Sequence, residues 1–119
     1  MAFFHPLRRC HHRAFLLRFA RDRNAYRAKL REHLSRYDLG LLDYCLTSNH
    51  VHLLIDAAER SEVSAFMREV AGEFARAYNR RKGRSDAFWG DNFHATLVEE
   101  GSSLWRCLGY LELSLVSPK

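Results

Sequence analysis

The run from Leu41 to Asp56, LLDYCLTSNHVHLLID, constrains this chain more than any other segment. Leu42, Tyr44 and Leu46 alternate with Leu41, Asp43 and Cys45, and Thr47-Ser48-Asn49 supplies a polar, turn-forming break. A second alternating run starts at His50. Two period-two runs joined by a tight polar break predict a β-hairpin. Within a strand, residues two apart share a face. His50 and His52 therefore project together, while Val51, Leu53 and Ile55 turn the other way into a core. Two imidazoles so placed can hold one divalent metal once a third ligand arrives from elsewhere. An isolated His-x-His is a short pattern, and on its own it more often marks two strand histidines with no metal.

The remaining elements follow from periodicity and punctuation. Ala2–Leu7 is a short apolar stretch interrupted by Pro6, which predicts an edge strand, because proline cannot donate to a ladder. Tyr26, Leu30, His33, Leu34 and Tyr37 recur at helical spacing over residues 22–37, with Asp22 as the expected N-cap and Gly40 beyond the end. Residues 61–82 carry the clearest apolar stripe, Val63, Phe66, Met67, Val70, Ala71, Phe74, Ala77 and Tyr78, with Ser61 as the expected cap. Residues 93–99 predict another strand. Leu104, Cys107, Leu108, Leu111 and Leu115 predict a last helix. The order β-α-β-β-α-β-α fits an α+β, ferredoxin-like antiparallel sheet with two helices on one face and a C-terminal helix added. Residues 1–119 read as one domain.

Composition narrows the function classes. Nineteen basic against 14 acidic residues give a formal charge of +5, which favours polyanionic partners, nucleic acid first. Three widely spaced cysteines form no CxxC pair, so neither a disulfide framework nor a zinc ribbon is expected. No apolar stretch approaches the ~20 residues of a membrane span, and the start is too short in apolar run for a signal peptide. The expectation is a cytoplasmic protein with no membrane partner. Arg80, Arg81, Lys82 and Arg84 form one basic cluster suited to phosphates; Arg8, Arg9, Arg13, Arg18, Arg21 and Arg23 form another. Phe88 and Trp89 could stack on an unpaired base, although packing at the core edge is the commoner fate of such a pair. Tyr110 lies to the side of the last helix's leucine stripe, with Ser114 one turn further on its face.

Taken in order, DYCLTSNHVHLLIDA, AYNRRKGR, AFWGDNFHATLVE and RCLGYLEL resemble the REP-associated and insertion-sequence single-tyrosine HUH transposases of bacteria, over about Arg9 to Val116. The resemblance implies a metal-dependent single-strand DNA endonuclease acting on single-stranded or hairpin DNA. It implies His50 and His52 as ligands of Mg²⁺ or Mn²⁺, and Tyr110 as the nucleophile that leaves a 5′-phosphotyrosine and a free 3′-hydroxyl. It makes Arg9, Arg13, Arg80, Arg81, Lys82, Arg84 and Trp89 candidate DNA contacts, and it allows a homodimer. The chain departs from the family pattern at Ser114, where Asn or Gln is usual and would complete the metal site; serine is a shorter, weaker ligand. The usual downstream tail is absent, which reads as a truncated C-terminus. A catalytically impaired or domesticated DNA-binding relic is therefore the alternative. A small-molecule metallohydrolase would need an acidic cluster near the histidines that the sequence does not offer, and a pure interaction domain, also open, would leave every activity unchanged in His50→Ala.

Overall fold

The computed structural model describes residues 2–90 and the strand backbone of residues 94–98. The expected last helix, with Tyr110 and Ser114, lies outside the described residues. The elements are β1 (Ala2–Arg9), a 3₁₀ turn (His11–Arg13), α1 (Ala20–Leu34), β2 (Leu39–Leu46), β3 (His50–Ala57), α2 (Arg60–Lys82) and β4 (His94–Val98). The four strands form one antiparallel sheet in the order β2-β3-β1-β4, the order of the ferredoxin-like plan.

The hairpin falls where alternation places it. β2 pairs with β3 through Cys45↔His52 and Leu46↔Val51, with an irregularity between Leu41 and Asp43. Val51, Leu53 and Ile55 are buried in the main core, under the α2 stripe of Val63, Phe66, Met67, Val70 and Phe74. α2 ends at Gly83, whose φ of 64° is the left-handed conformation that glycine adopts without Cβ strain. The Arg84 N–H reaches back 2.8 Å to the Asn79 carbonyl and closes the cap.

Three expectations need correction. β1 is central rather than at the edge: it pairs with β3 on one side and β4 on the other. Proline is tolerated there because the β1–β3 pairing lapses at His5 and Pro6 and resumes at Leu7↔His52 in the same register, while Pro6↔Ala95 continues the other ladder. α1 begins at Ala20 behind Phe19, and Asp22 is not its cap. Asp22 is instead 1% exposed and accepts a hydrogen bond from the Arg81 guanidinium, with Lys82 Nζ 3.8 Å away. α2 begins at Arg60 behind Glu59, with no side-chain cap from Ser61.

The Asp22–Arg81 pair ties the start of α1 to the end of α2. A buried carboxylate that loses its cation keeps its desolvation cost. Arg81→Met is expected to destabilise the fold by about 1–3 kcal/mol, less than a lone buried charge would suffer because Lys82 remains nearby. Urea unfolding measures it, and an unchanged midpoint would count against the pair.

A second polar link sits between the helices. His33 is fully buried, its Nδ1 2.7 Å from Glu69 and its Nε2 3.0 Å from Glu73. The His33 hydrogen bond holds the Glu73 carboxyl below its usual range.

Candidate functional site

The face of the sheet opposite the α1/α2 core carries the histidines. Directly paired residues on neighbouring strands share a face, so Leu7, His52 and Cys45 stand in one row across β1, β3 and β2. His5, two residues before Leu7, joins that face, as does His50, two before His52. The His50 and His52 rings lie edge to face with centroids 4.6 Å apart. The sequence reading placed these two together, and the structure does so.

His5 is the residue sequence reasoning passed over. Its ring stacks on His52 at 5.3 Å, and its Nε2 lies 3.2 Å from His52 Nδ1. On the other histidine, His50 Nδ1 is 2.8 Å from both Thr47 Oγ1 and Asn49 Oδ1. Burial, then the neighbouring His50, His5 and Arg9, push His52 down to about 3. Burial likewise lowers His5. At neutral pH His52 is therefore an uncharged imidazole, the form that binds a metal. The donor set fits a divalent ion bound by two imidazoles with further ligands from elsewhere.

Among the described residues, Glu32, His33 and Glu73 also bring ligand atoms within 4.8 Å of one another. That group lies between the helices, away from the histidine pair. Lys29 sits 3.3 Å from both glutamates, and Arg36 3.3 Å from Glu32. Cations already occupy the carboxylates, so the group works as an ion-pair network that joins α1 to α2.

The basic residues, read as two separate sets in the sequence, converge. The Asp22–Arg81 link and Lys82 Nζ, 5.5 Å over the Phe19 ring, bring the end of α2 against the segment that carries Arg13, Arg18 and Arg21. Arg9, Arg13, Arg80 and Lys82 are exposed; Arg84 is half-buried and donates to Asn79 Oδ1 at 2.7 Å. Phe15 and Phe19 are 63% and 54% exposed, and Phe19 lies under the Arg18 guanidinium at 5.1 Å as well as Lys82. Trp89 is different: it is 8% exposed, and its indole N–H donates to the Ala71 carbonyl at 2.9 Å. It packs beside Phe88, Phe74 and Tyr26, so the exposed rings on this surface are Phe15 and Phe19 rather than Trp89.

The loop of residues 11–18 is tied to the turn that delivers His50. Leu17 N donates to Ser48 O at 2.9 Å, Cys10 N donates to Asn49 O at 2.9 Å, and Asn49 Nδ2 donates to Arg13 O at 3.3 Å. The basic surface and the histidine pair are thus neighbours held by one turn.

The described residues thus form a ferredoxin-like sheet with a strand-borne histidine pair beside a basic surface. The family model for IS200-like transposases matches residues 3–112, and the chain belongs to that family. Its fold is similar to the structure of a REP-associated tyrosine transposase bound to a REP hairpin. That match has a TM-score of 0.75 at 13% identity and covers 94% of this chain and 65% of the other. The chain therefore spans just under two thirds of that protein's length. It is also similar to a crystal structure described as a transposase from Deinococcus radiodurans, with a TM-score of 0.66 at 16% identity, covering 97% of this chain and 92% of the other. No curated protein sequence matches the chain. No helix among the described residues is long and apolar enough to cross a membrane.

Proposed function

We propose that this protein is a metal-dependent single-strand DNA transposase that cuts and rejoins hairpin-associated DNA through Tyr110. The observation that carries the reading is the His50–His52 pair, set edge to face in a member of the IS200-like family, with exposed basic residues on the loop tied to its turn. His50 and His52 would hold Mg²⁺ or Mn²⁺, with Ser114 as a weak further ligand. The ion, when bound, supplies Lewis acidity towards a non-bridging oxygen of the scissile phosphate. The chain's own residues do the rest. Arg9, Arg13, Arg80, Lys82 and Arg84 neutralise phosphates and set the strand's register. Arg81 joins them only in part, being committed to Asp22. Phe15 and Phe19 offer faces for unpaired bases.

Tyr110 Oη attacks phosphorus. The new bond is Oη–P, the bond that breaks is that from phosphorus to the 3′ oxygen, and the phenolic proton ends on the departing 3′-hydroxyl. The phosphotyrosine conserves the phosphodiester linkage for the reverse reaction on a second 3′-hydroxyl.

The test is a denaturing gel of the protein with end-labelled single-stranded hairpin DNA in Mn²⁺. A covalent band in the wild type that is missing in Tyr110→Phe is the expected result. Ser114 favours the second reading, a DNA-binding relic. If the wild type forms no adduct but Ser114→Asn does, the scaffold is intact and its metal site impaired. If no variant forms an adduct while salt-sensitive DNA binding persists, the enzyme reading falls and the relic stands.

A further inference from the structure

A metal-binding histidine is useful only if the correct ring nitrogen faces the ion, and the other nitrogen's hydrogen bond decides which one that is. The hydrogen bonds around His50 have a definite direction. The Arg13 carbonyl can only accept, so the Asn49 group 3.3 Å from it is the amide Nδ2. That turns Asn49 Oδ1 towards His50 Nδ1, 2.8 Å away. An amide oxygen also only accepts, so His50 Nδ1 carries the proton. Thr47 Oγ1, equally close at 2.8 Å, can donate or accept and so follows Asn49 without dictating anything. With Nδ1 protonated, His50 can coordinate only through Nε2.

His52 meets a second imidazole from another strand, and because either ring nitrogen can donate, that contact engages Nδ1 without setting its direction. Its Nδ1 faces His5 Nε2 at 3.2 Å. His5 stands on β1, which the common register holds against β3 on both sides of the Pro6 lapse, at Phe4↔Ile55 and Leu7↔His52. His5 is not itself placed as a third ligand: among the described residues, the one group whose ligand atoms fall within 4.8 Å of one another is Glu32–His33–Glu73.

We infer that Asn49 and His5 are positioning residues that lock His50 and His52 in the Nδ1–H tautomer and so present both Nε2 atoms to one divalent cation. The His50 assignment rests on hydrogen-bond geometry; that of His52, whose Nδ1 is engaged by His5 and whose Nε2 is left to coordinate, rests with the metal's use on the transposase reading. Asn49 has a second consequence. It bonds the Arg13 carbonyl of the basic loop on one side and a metal ligand on the other, so one amide holds the DNA-facing loop and the histidine in fixed relation.

The test reads the histidines directly in the metal-free protein at neutral pH. Long-range ¹H–¹⁵N correlation spectra distinguish protonated from unprotonated ring nitrogens. Wild type is expected to show His50 and His52 as Nδ1–H tautomers. In Asn49→Ala the Thr47 hydroxyl becomes free to donate, and His50 shifts towards the Nε2–H form. Asn49→Asp keeps an acceptor oxygen and retains the wild-type tautomer. His5→Leu releases His52 in the same way, whereas His5→Gln supplies an acceptor in place of Nε2 and restores it. Mn²⁺ affinity, measured by titration, is expected to fall about 10–100-fold in Asn49→Ala and His5→Leu, and to recover in the paired variants.

A residue that merely fills space would change the melting temperature without this selective tautomer response. An Nε2–H His50 or His52 in the wild type, or unchanged tautomers in both Asn49→Ala and His5→Leu, overturns the inference. If the tautomers respond but wild type binds no Mn²⁺, the positioning stands and the metal reading falls.

Discussion

A His50→Ala/His52→Ala protein is expected to form no detectable covalent adduct with hairpin DNA in Mn²⁺, while binding the same DNA nearly as tightly as wild type. The two effects separate because the two jobs belong to different residues. In the proposed function, DNA affinity would come mainly from phosphate neutralisation by Arg9, Arg13, Arg80, Lys82 and Arg84. His52 supplies no cation, since burial and its neighbours hold it neutral, with its proton affinity pushed down to about 3. In the proposed mechanism the chemical step would depend on Lewis-acid stabilisation of the phosphoryl group, worth several kcal/mol when an ion is in place. Each 1.36 kcal/mol is tenfold, so removing both ligands should slow cleavage by about a thousandfold or more.

His52 is nearly fully buried, so its loss opens a small cavity, and circular dichroism with a thermal melt must accompany the assay. EDTA added to wild type should reproduce the variant's phenotype without touching the fold. Adduct formation that survives both treatments would show that the tyrosine chemistry runs without these ligands, and the proposed role of His50 and His52 would have to be given up.

The hairpin and its histidine pair were legible because strand alternation is a local rule: once Val51, Leu53 and Ile55 are assigned inward, His50 and His52 must face together. The α2 stripe was legible for the same reason at helical period. His5 was not, although a histidine inside the apolar AFFHPL stretch was a signal that something polar waited on that face. Its meaning depends on which strand β1 pairs with and in what register, and that is a tertiary fact. Pro6 pointed the wrong way for a related reason. A proline forbids one ladder bond, not a central position, and the sheet absorbs it by letting the β3 pairing lapse for two residues.

Asp22 shows the ambiguity of short polar residues near a helix start. The same side chain can cap its own helix or anchor a distant cation, and only the placement of Arg81 decides. The convergence of the two basic sets follows from that same long-range pair, so charge counting could report the total but not the single surface. Phe15 and Phe19 could not be told from core phenylalanines by composition. Their segment is a loop whose side chains have no period to sort them, and the exposed rings emerge only once Leu17, between them, is seen to turn inward.

Trp89→Ala is expected to be the most destabilising single change in the described core. The indole sits in an aromatic cluster, 5.8 Å from Tyr26, 6.3 Å from Phe74 and 4.7 Å from Phe88. Its N–H is bonded to a helix carbonyl, and Arg8 lies 5.6 Å over its face. It also staples the loop: Trp89 bridges Cys10, and Gly90 N donates 2.8 Å to Arg9 O. Truncating a buried tryptophan costs about 3–5 kcal/mol through lost burial and the cavity left behind. For a domain of this size, that corresponds to a fall in Tm of roughly 15–30 °C. Trp89→Phe keeps most of the packing and loses the hydrogen bond, so it should cost only about 1–2 kcal/mol. DNA binding by Trp89→Phe, measured well below its Tm, should match wild type within about twofold, whereas removing a base-stacking ring costs about fivefold or more. Phe15→Ala should show the opposite pattern: unchanged stability, because the ring is exposed, and weaker binding to single-stranded DNA. If Trp89→Phe instead loses DNA affinity at unchanged stability, the indole reaches the nucleic acid in the complex, and the aromatic cluster must open when DNA binds.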